Sequence, residues 1–275
     1  MTHKILVPID FSECSVNATK YAVGLAKKIN SHLVFLHTLN VPVTHGEIGA
    51  NAILGELTRG IEEDVNENFE KLFIQIPKLK EVPNSRTVRH SFVTDAVYHE
   101  TENEKIDMVV MGTTGAHGFE EMIMGSNTYS VIRDINIPVL AIPENAKFKS
   151  VQGIVFASDY KTTNTEHLQP LLDFARIFGS EIHVLHIASV KNITHSELEE
   201  AKKFQRFLKN VRHHFHFIQN ENLEASIEEY VKKYKINMVS LMPRKHSLFD
   251  QIFSKTYSRK IILHTETPLL ALPSS

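Results

Sequence analysis

The sequence predicts an α/β protein built as two tandem Rossmann-like domains, each a five-stranded parallel sheet with helices on both faces. Three observations lead there. Short apolar, β-branched runs alternate with longer amphipathic stretches, the pattern of a parallel sheet whose crossovers are helices. The order of these runs repeats along the chain. A length of 275 residues with a 42% hydrophobic fraction suffices for two cores of ordinary size.

The elements follow in order. "KILVPI" is a short apolar run of the kind that forms a strand buried on both faces. In "SVNATKYAVGLAKKIN", Val16, Tyr21 (or Ala22), Leu25 and Ile29 recur at helical spacing, with Ser12 or Ser15 as the N-cap. "HLVFLHTL" is a second buried strand, and "EDVNENFEKLFIQI" an amphipathic helix. "SRTVRHSFV" reads as a strand and "DAVYHETENEKI" as a helix with Asp95 near its start. "DMVVMG", "SNTYSVIRDI" and "PVLAIP" complete the set as strand, helix and strand.

The second half repeats the pattern. Asp10 falls on Asp159, Ala26 on Ala175, Ser31 on Ser180, Leu36 on Leu185 and His37 on His186, each pair 149 positions apart. Further on, "IDMVVMG" lies over "INMVSLM" and "INIPVLAIP" over "TETPLLALP", now 130 apart. The difference, 149 − 130 = 19 residues, fits one extra segment in the first half, best placed at "VPVTHGEIGANAILGELTR" after the second strand. The inserted 39–59 region reads as a lid over the crevice or as a partner surface. The expected domains are residues 1–147 and 148–275. Their fifth strands, "PVLAIP" and "PLLALP", are apolar and end at proline.

Charge and composition narrow the function classes. A formal net charge of −2 gives no basic surface for nucleic acid or an anionic membrane. No apolar run approaches the ~18 residues of a membrane span. Cys14 is the sole cysteine, so no internal disulfide forms, and "MTHKILVPID" lacks the apolar core of a signal peptide. A cytoplasmic protein is expected.

The chemistry concentrates in "MGTTGAHGFEEMIMGSNT", Met111 to Thr128. Glycines let main-chain N–H groups approach an anion without a Cβ in the way. Gly125, Ser126, Asn127 and Thr128 then open a helix, whose unpaired amides and dipole favour a phosphate. The hydroxyls of Ser126 and Thr128 add donors. In an open parallel sheet ligands lie beyond the carboxyl ends of the strands at the switch point of strand order. Pro8 and Asp10 leave the first strand at that edge, Thr38 the second, and Met111, Gly112 and Gly115 the fourth. This is neither G-x-x-x-x-G-K-[ST] nor G-x-G-x-x-G after the first strand. A tight strand-to-helix turn with an ordinary cap is the competing reading.

"GTTGAHGFEEMIMGS" matches G-x2-G-x9-G-[ST], and in this the chain resembles the universal stress protein family. "KILVPIDFSECS", "FLHTL" and "IPVLAIP" extend the likeness over nearly the whole chain, as two copies. The resemblance implies an adenine-nucleotide alpha-hydrolase-like fold and ATP, with Mg2+, as ligand. It places Pro8, Asp10 and Thr38 at the adenine and ribose. It places Met111, Gly112 and Gly115 around the ribose and phosphates, and Gly125, Ser126 and Asn127 on the phosphates. In the family the fifth strands pair across the dimer, so here they are expected to pair within the chain, while association of two chains stays open. The second copy departs: Met242, Lys245 and Lys255 stand where the first has Gly112, Gly115 and Gly125, although Thr256 matches Ser126.

Three function classes follow: a nucleotide-dependent stress sensor or regulator, a slow Mg-dependent ATPase or phosphotransferase, and a nucleotide-free interaction module. The loop supplies no general base, catalytic lysine or arginine finger of the kind phosphoryl transfer uses. Elsewhere, "HHFHF" puts His214 and His216 on one face of a strand, a spacing open to a metal but more in keeping with a half-buried strand. His37 and His186 match and read as packing residues. His117, inside the loop, faces either a phosphate or water.

Overall fold

The computed structural model describes residues 3–39, 48–114, 124–158, 160, 165–188, 194–220, 222–243 and 266–273. Its first half runs β1 (Lys4–Pro8), α1 (Glu13–Ile29), β2 (His32–Thr38), α2 (Ile48–Gln75), β3 (Asn84–Arg89), α3 (Val93–Asn103), β4 (Met108–Gly112), α4 (Ser126–Asp134) and β5 (Val139–Ile142). The second half runs β6 (Gly153–Ala157), α5 (Gln169–Phe178), β7 (Glu181–Ala188), α6 (His195–Phe207), β8 (His213–Gln219), α7 (Leu223–Tyr234), β9 (Met238–Leu241) and β10 (Leu269–Ala271).

The strands form one sheet in the order β3-β2-β1-β4-β5-β10-β9-β6-β7-β8. Within each half all neighbours are parallel, as βαβ crossovers require. Among the described residues the one antiparallel pair is β5 with β10, where Leu269 meets Ala141, Leu270 meets Leu140 and Ala271 meets Val139. A strand this apolar on both faces cannot sit at an open edge without inviting aggregation. Pairing the two fifth strands removes both edges at once.

Alternate residues of each strand feed two apolar layers. Ile5, Val7, Phe35, Ile142, Ile154 and Phe156 pack under α1, α2, α5 and α6. Leu6, Leu36, Val109, Ala141, Leu185 and Leu241 pack under α3, α4 and α7. Each layer runs across both halves of the chain.

Local signals set the helix limits. Ser12 caps α1, accepting from the Ser15 amide, and Asn30 ends the helix in the left-handed region at φ 53°. The extra segment is partly helical, since α2 begins at Ile48 and runs 28 residues. Residues 40–47 lie outside the described region.

The same local geometry recurs 149 residues on. Phe11 has φ 62° and Tyr160 φ 49°; Asn30 has φ 53° and Gly179 φ 67°. His37 Nδ1 donates to the Ile9 carbonyl at 2.7 Å, and His186 Nδ1 to the Ser158 carbonyl at 3.0 Å. Each imidazole also packs on the aromatic ring two residues beyond that carbonyl, Phe11 at 5.1 Å and Tyr160 at 4.4 Å. These histidines hold the turn that leaves the first strand of each half.

The connection between the halves is packed. Asn17 Nδ2 donates to the carbonyls of Pro143 and Ala146 at 2.9 and 2.8 Å. Phe148 meets Tyr21 of α1 edge-on at 5.0 Å and Phe178 of α5 at 6.2 Å. Among the described residues, no helix is long and apolar enough to cross a membrane.

Candidate functional site

Strand order reverses between β1 and β4: β2 and β3 lie on one side of β1, β4 and β5 on the other. The carboxyl ends of β1 and β4 therefore diverge into a crevice, and the chain's glycine-rich loop leaves from its floor.

On the β1 side, Pro8 is buried and Asp10 is exposed. Asp10 Oδ1 accepts from the Ser12 amide at 3.1 Å and from the Ser12 hydroxyl at 2.6 Å, so the carboxylate is fixed against the start of α1. The left-handed Phe11 between them aims the turn, with its ring wedged against His37 and edge-on to Phe69, both at 5.1 Å. Thr38 ends β2 one strand further out, half-buried and in register with Arg89 of β3.

On the β4 side, Met111 and Gly112 are buried. The space a Gly112 side chain would need belongs to α1: a Cβ there would lie 2.9 Å from Cys14 Sγ and 3.1 Å from the Cys14 carbonyl carbon. The glycine thus lets helix α1 close onto strand β4, a requirement that motif spacing does not express. Cys14 is sealed in the same contact, 2% exposed, with its thiol donating to the Ile142 carbonyl at 3.5 Å.

The loop is pinched at its base, where the Gly125 amide donates to the Thr113 carbonyl at 2.7 Å. Gly115, His117 and Gly118, between those two points, lie outside the described residues. Beyond the pinch Gly125 caps α4, and Ser126 and Asn127 stand exposed on its first turn. That turn carries no acidic side chain, and the first amides of a helix have no partner within the helix, so this end favours an anion. Thr128 differs from Ser126. It is buried, and its hydroxyl donates to the Gly112 carbonyl at 2.8 Å, tying α4 to the end of β4.

Thus Pro8, Asp10, Met111, Gly112, Gly125, Ser126, Asn127 and Thr128 gather at the β1/β4 switch point, with Thr38 one strand away. In the other half, the matching floor is Ser158 after β6 and Met242 after β9, both buried. Asp159, Lys245, Lys255 and Thr256 lie outside the described residues.

The universal stress protein family model matches residues 1–143, just over half of the 275. This chain belongs to the universal stress protein family. A universal stress protein of Methanocaldococcus jannaschii is 27% identical over 152 residues, covering 52% of this chain and 84% of that relative. One from Bacillus subtilis is 28% identical over 148 residues, covering 52% of this chain and 99% of the relative. The fold likeness extends further. A universal stress protein from Archaeoglobus fulgidus superposes with a TM-score of 0.66 at 16% identity, over 99% of this chain and 96% of that one.

A second cluster of titratable side chains lies far from the crevice, at the outer end of the sheet. His183 of β7 faces His214 and His216 of the edge strand β8, with ring centroids 5.7 Å away in both cases. The sequence pointed to His214 and His216 through their alternation. His183, Glu181, Tyr230 and Tyr234 joined them only through strand register and the docking of α7. His183 Nδ1 hydrogen-bonds the Tyr230 hydroxyl at 2.9 Å, and His214 Nε2 pairs with Glu181. Among the described residues, no group of three His, Cys, Asp or Glu is placed to hold a metal ion.

Proposed function

We propose that this chain is an ATP-binding stress-response sensor or regulator, which acts through nucleotide occupancy rather than rapid turnover, in the cytoplasm. The reading rests on one observation above all. The turn bearing Asp10, the end of β4 and the acid-free N-terminus of α4 meet at the switch point of a parallel sheet, in a family whose resemblance implies adenine nucleotide. The residues suit the ligand. Main-chain amides of Ser126 and Asn127 would receive phosphate oxygens, Gly115 would let the loop backbone come close, and Asp10 would meet the ribose. Pro8, Thr38 and Met111 would border the base. Mg2+ bound with the nucleotide would offset the triphosphate's charge.

In this reading residues 1–147 form the binding domain. Residues 148–275 form a second copy that carries Met242, Lys245 and Lys255 in place of Gly112, Gly115 and Gly125, and it serves as the first copy's fixed partner through β5 and β10.

Calorimetric titration of ATP into the wild type and into Gly115→Lys tests the site, since lysine is what the second half carries at the matching position. Affinity should fall at least tenfold in the variant. Equal affinity would exclude the loop as the phosphate site. A wild type that gains no thermal stability from saturating ATP would favour the nucleotide-free interaction reading, because a ligand at 100 times its Kd adds about 2.7 kcal/mol.

A further inference from the structure

The histidine cluster at the far end of the sheet has no part in the nucleotide reading. Three imidazoles sit together, His183 to His214 and to His216 at 5.7 Å and His214 to His216 at 6.2 Å. His183 is only 8% exposed and is stacked against His216 at an interplanar angle of 14°. Helix α7 closes over them with two tyrosines: Tyr230 lies 5.1 Å from His216 and Tyr234 5.5 Å from it. Tyr230 and Tyr234 in turn lie 4.3 Å apart. The outermost strand is paired to β7 along its backbone, and its covering helix packs on it through these imidazole and phenol rings together with Ile227 and Val231.

We propose that β7, β8 and α7 form a proton-operated latch, in which protonation of the His183–His214–His216 cluster releases β8 and α7 while the rest of the sheet stays closed.

The surrounding charges decide the direction. From β7, Glu181 faces the cluster and pairs with His214. From β8 come His214 and His216 themselves. From α7, Lys233 raises the positive potential at His216, while Glu229 and the neutral phenols of Tyr230 and Tyr234 line the same groove. From β6 there is only Gly153, whose missing side chain faces His183 Nε2. Among the described residues, one carboxylate in pairing contact, Glu181, therefore has to answer for three imidazoles and a lysine. Burial, and then its histidine neighbours, hold His183 below the ordinary histidine range despite the pull of Glu181. Burial, then His214 and Lys233, do the same to His216. A first proton is matched by Glu181; any further proton meets like charge.

Both histidines therefore bind protons more readily once released. Their contribution to holding the latch is complete above pH ~6.5 and is lost as pH falls toward their depressed folded values. Water reaches the cluster through a cavity of about 300 Å³ that opens between β8 and α7 and is bordered by His216, Ser226, Tyr230 and Lys233. The seam of β5 and β10 and the crevice at β1 and β4 contain none of these groups.

Hydrogen exchange read by mass spectrometry at about pH 7.5 and 5.5, corrected for the intrinsic rate of exchange, tests the latch on the intact chain. Protection in β8 and α7 should fall by roughly tenfold or more beyond any fall in β1 and β2, the change that one extra proton on the open form gives per pH unit. In His183→Gln combined with His216→Gln, most of that difference should vanish. A fall spread evenly over the chain, no fall at all, or a full fall persisting in the double variant would overturn the proposal. Proton NMR of the wild-type imidazole rings supplies a check that needs no variant. The cluster must titrate across the pH window in which β8 and α7 lose protection, and titration outside that window also overturns it.

Discussion

Replacing Gly112 by alanine probes the point where fold and site share an atom. The added Cβ would lie 2.9 Å from Cys14 Sγ, 3.1 Å from the Cys14 carbonyl carbon and 3.2 Å from its oxygen. Ordinary carbon contacts sit near 3.5–4.0 Å, so the first turn of α1 must move off β4 by several tenths of an ångström. Rotating the thiol relieves one of the three contacts, but the other two are main chain. Overpacking of this kind costs ~1–3 kcal/mol. Against it stands the gain of roughly 0.5–1 kcal/mol from giving a strand glycine a side chain. The net expectation is a loss of about 1–2 kcal/mol, or a fall in Tm of some 2–8 °C at roughly 2–4 °C per kcal/mol. Urea denaturation followed by circular dichroism measures it, with m unchanged if only the native state is strained. Adding Cys14→Ala should recover only the share due to sulfur. A Gly112→Ala protein as stable as wild type would refute the argument, because α1 and β4 could not then approach as closely as described.

Other expectations follow from single contacts. Thr128→Val removes the buried hydroxyl that satisfies the Gly112 carbonyl and should cost about 1–3 kcal/mol, whereas Thr128→Ser should keep most of it; urea midpoints distinguish them. Gly24→Ala places a Cβ 2.4 Å from the Phe148 ring, and should destabilise by ~1–2 kcal/mol net although alanine is normally the better helix former. A gain in stability there would contradict the packed connection. Thr194 caps α6 in a reciprocal box with Glu197, whose carboxyl is held below its ordinary range chiefly by the Thr194 amide. Alanine keeps that amide but loses the Thr194 hydroxyl, which donates to the same carboxylate at 2.8 Å; since a depressed carboxyl stabilises the fold above its unfolded pKa and loses that contribution in acid, Thr194→Ala should cost about 1 kcal/mol at neutral pH and somewhat less below pH ~4. Stability curves at the two pH values check the sign.

How much was legible in the sequence varies by element. β1, β2, β4 and β5 and α1, α3 and α4 could be read from periodicity, because a two-sided parallel strand needs a continuous apolar run and each covering helix needs one apolar stripe. β3 is a half-exposed edge strand that ends at Arg89, so the strand read through Val93 overran the turn into the start of α3. "PVLAIP" and "PLLALP" carried the information that their strands are buried, since no solvent-facing residue interrupts them. The full length of α2 was not legible. Its first turns come from the inserted segment, whose composition does not separate helix from loop. The convergence of Asp10 with Met111 and Gly112 could be anticipated, because the carboxyl ends of β1 and β4 must share one edge of a parallel sheet.

The division between sequence and structure is set by distance along the chain. Motif, spacing and alternation are local properties, so the residues alone determined the αβ order, the repeating offset and the amides offered by Gly125, Ser126 and Asn127. Only tertiary structure decided which neighbour each of these meets. It made Gly112 a seat for Cys14, committed the Thr128 hydroxyl to a carbonyl, locked Phe148 between α1 and α5, and brought His183 of one strand to His214 and His216 of the next. Each of those contacts joins positions at least 16 apart, and the strand register behind the histidine contacts is fixed by packing the whole sheet, not by any stretch within it.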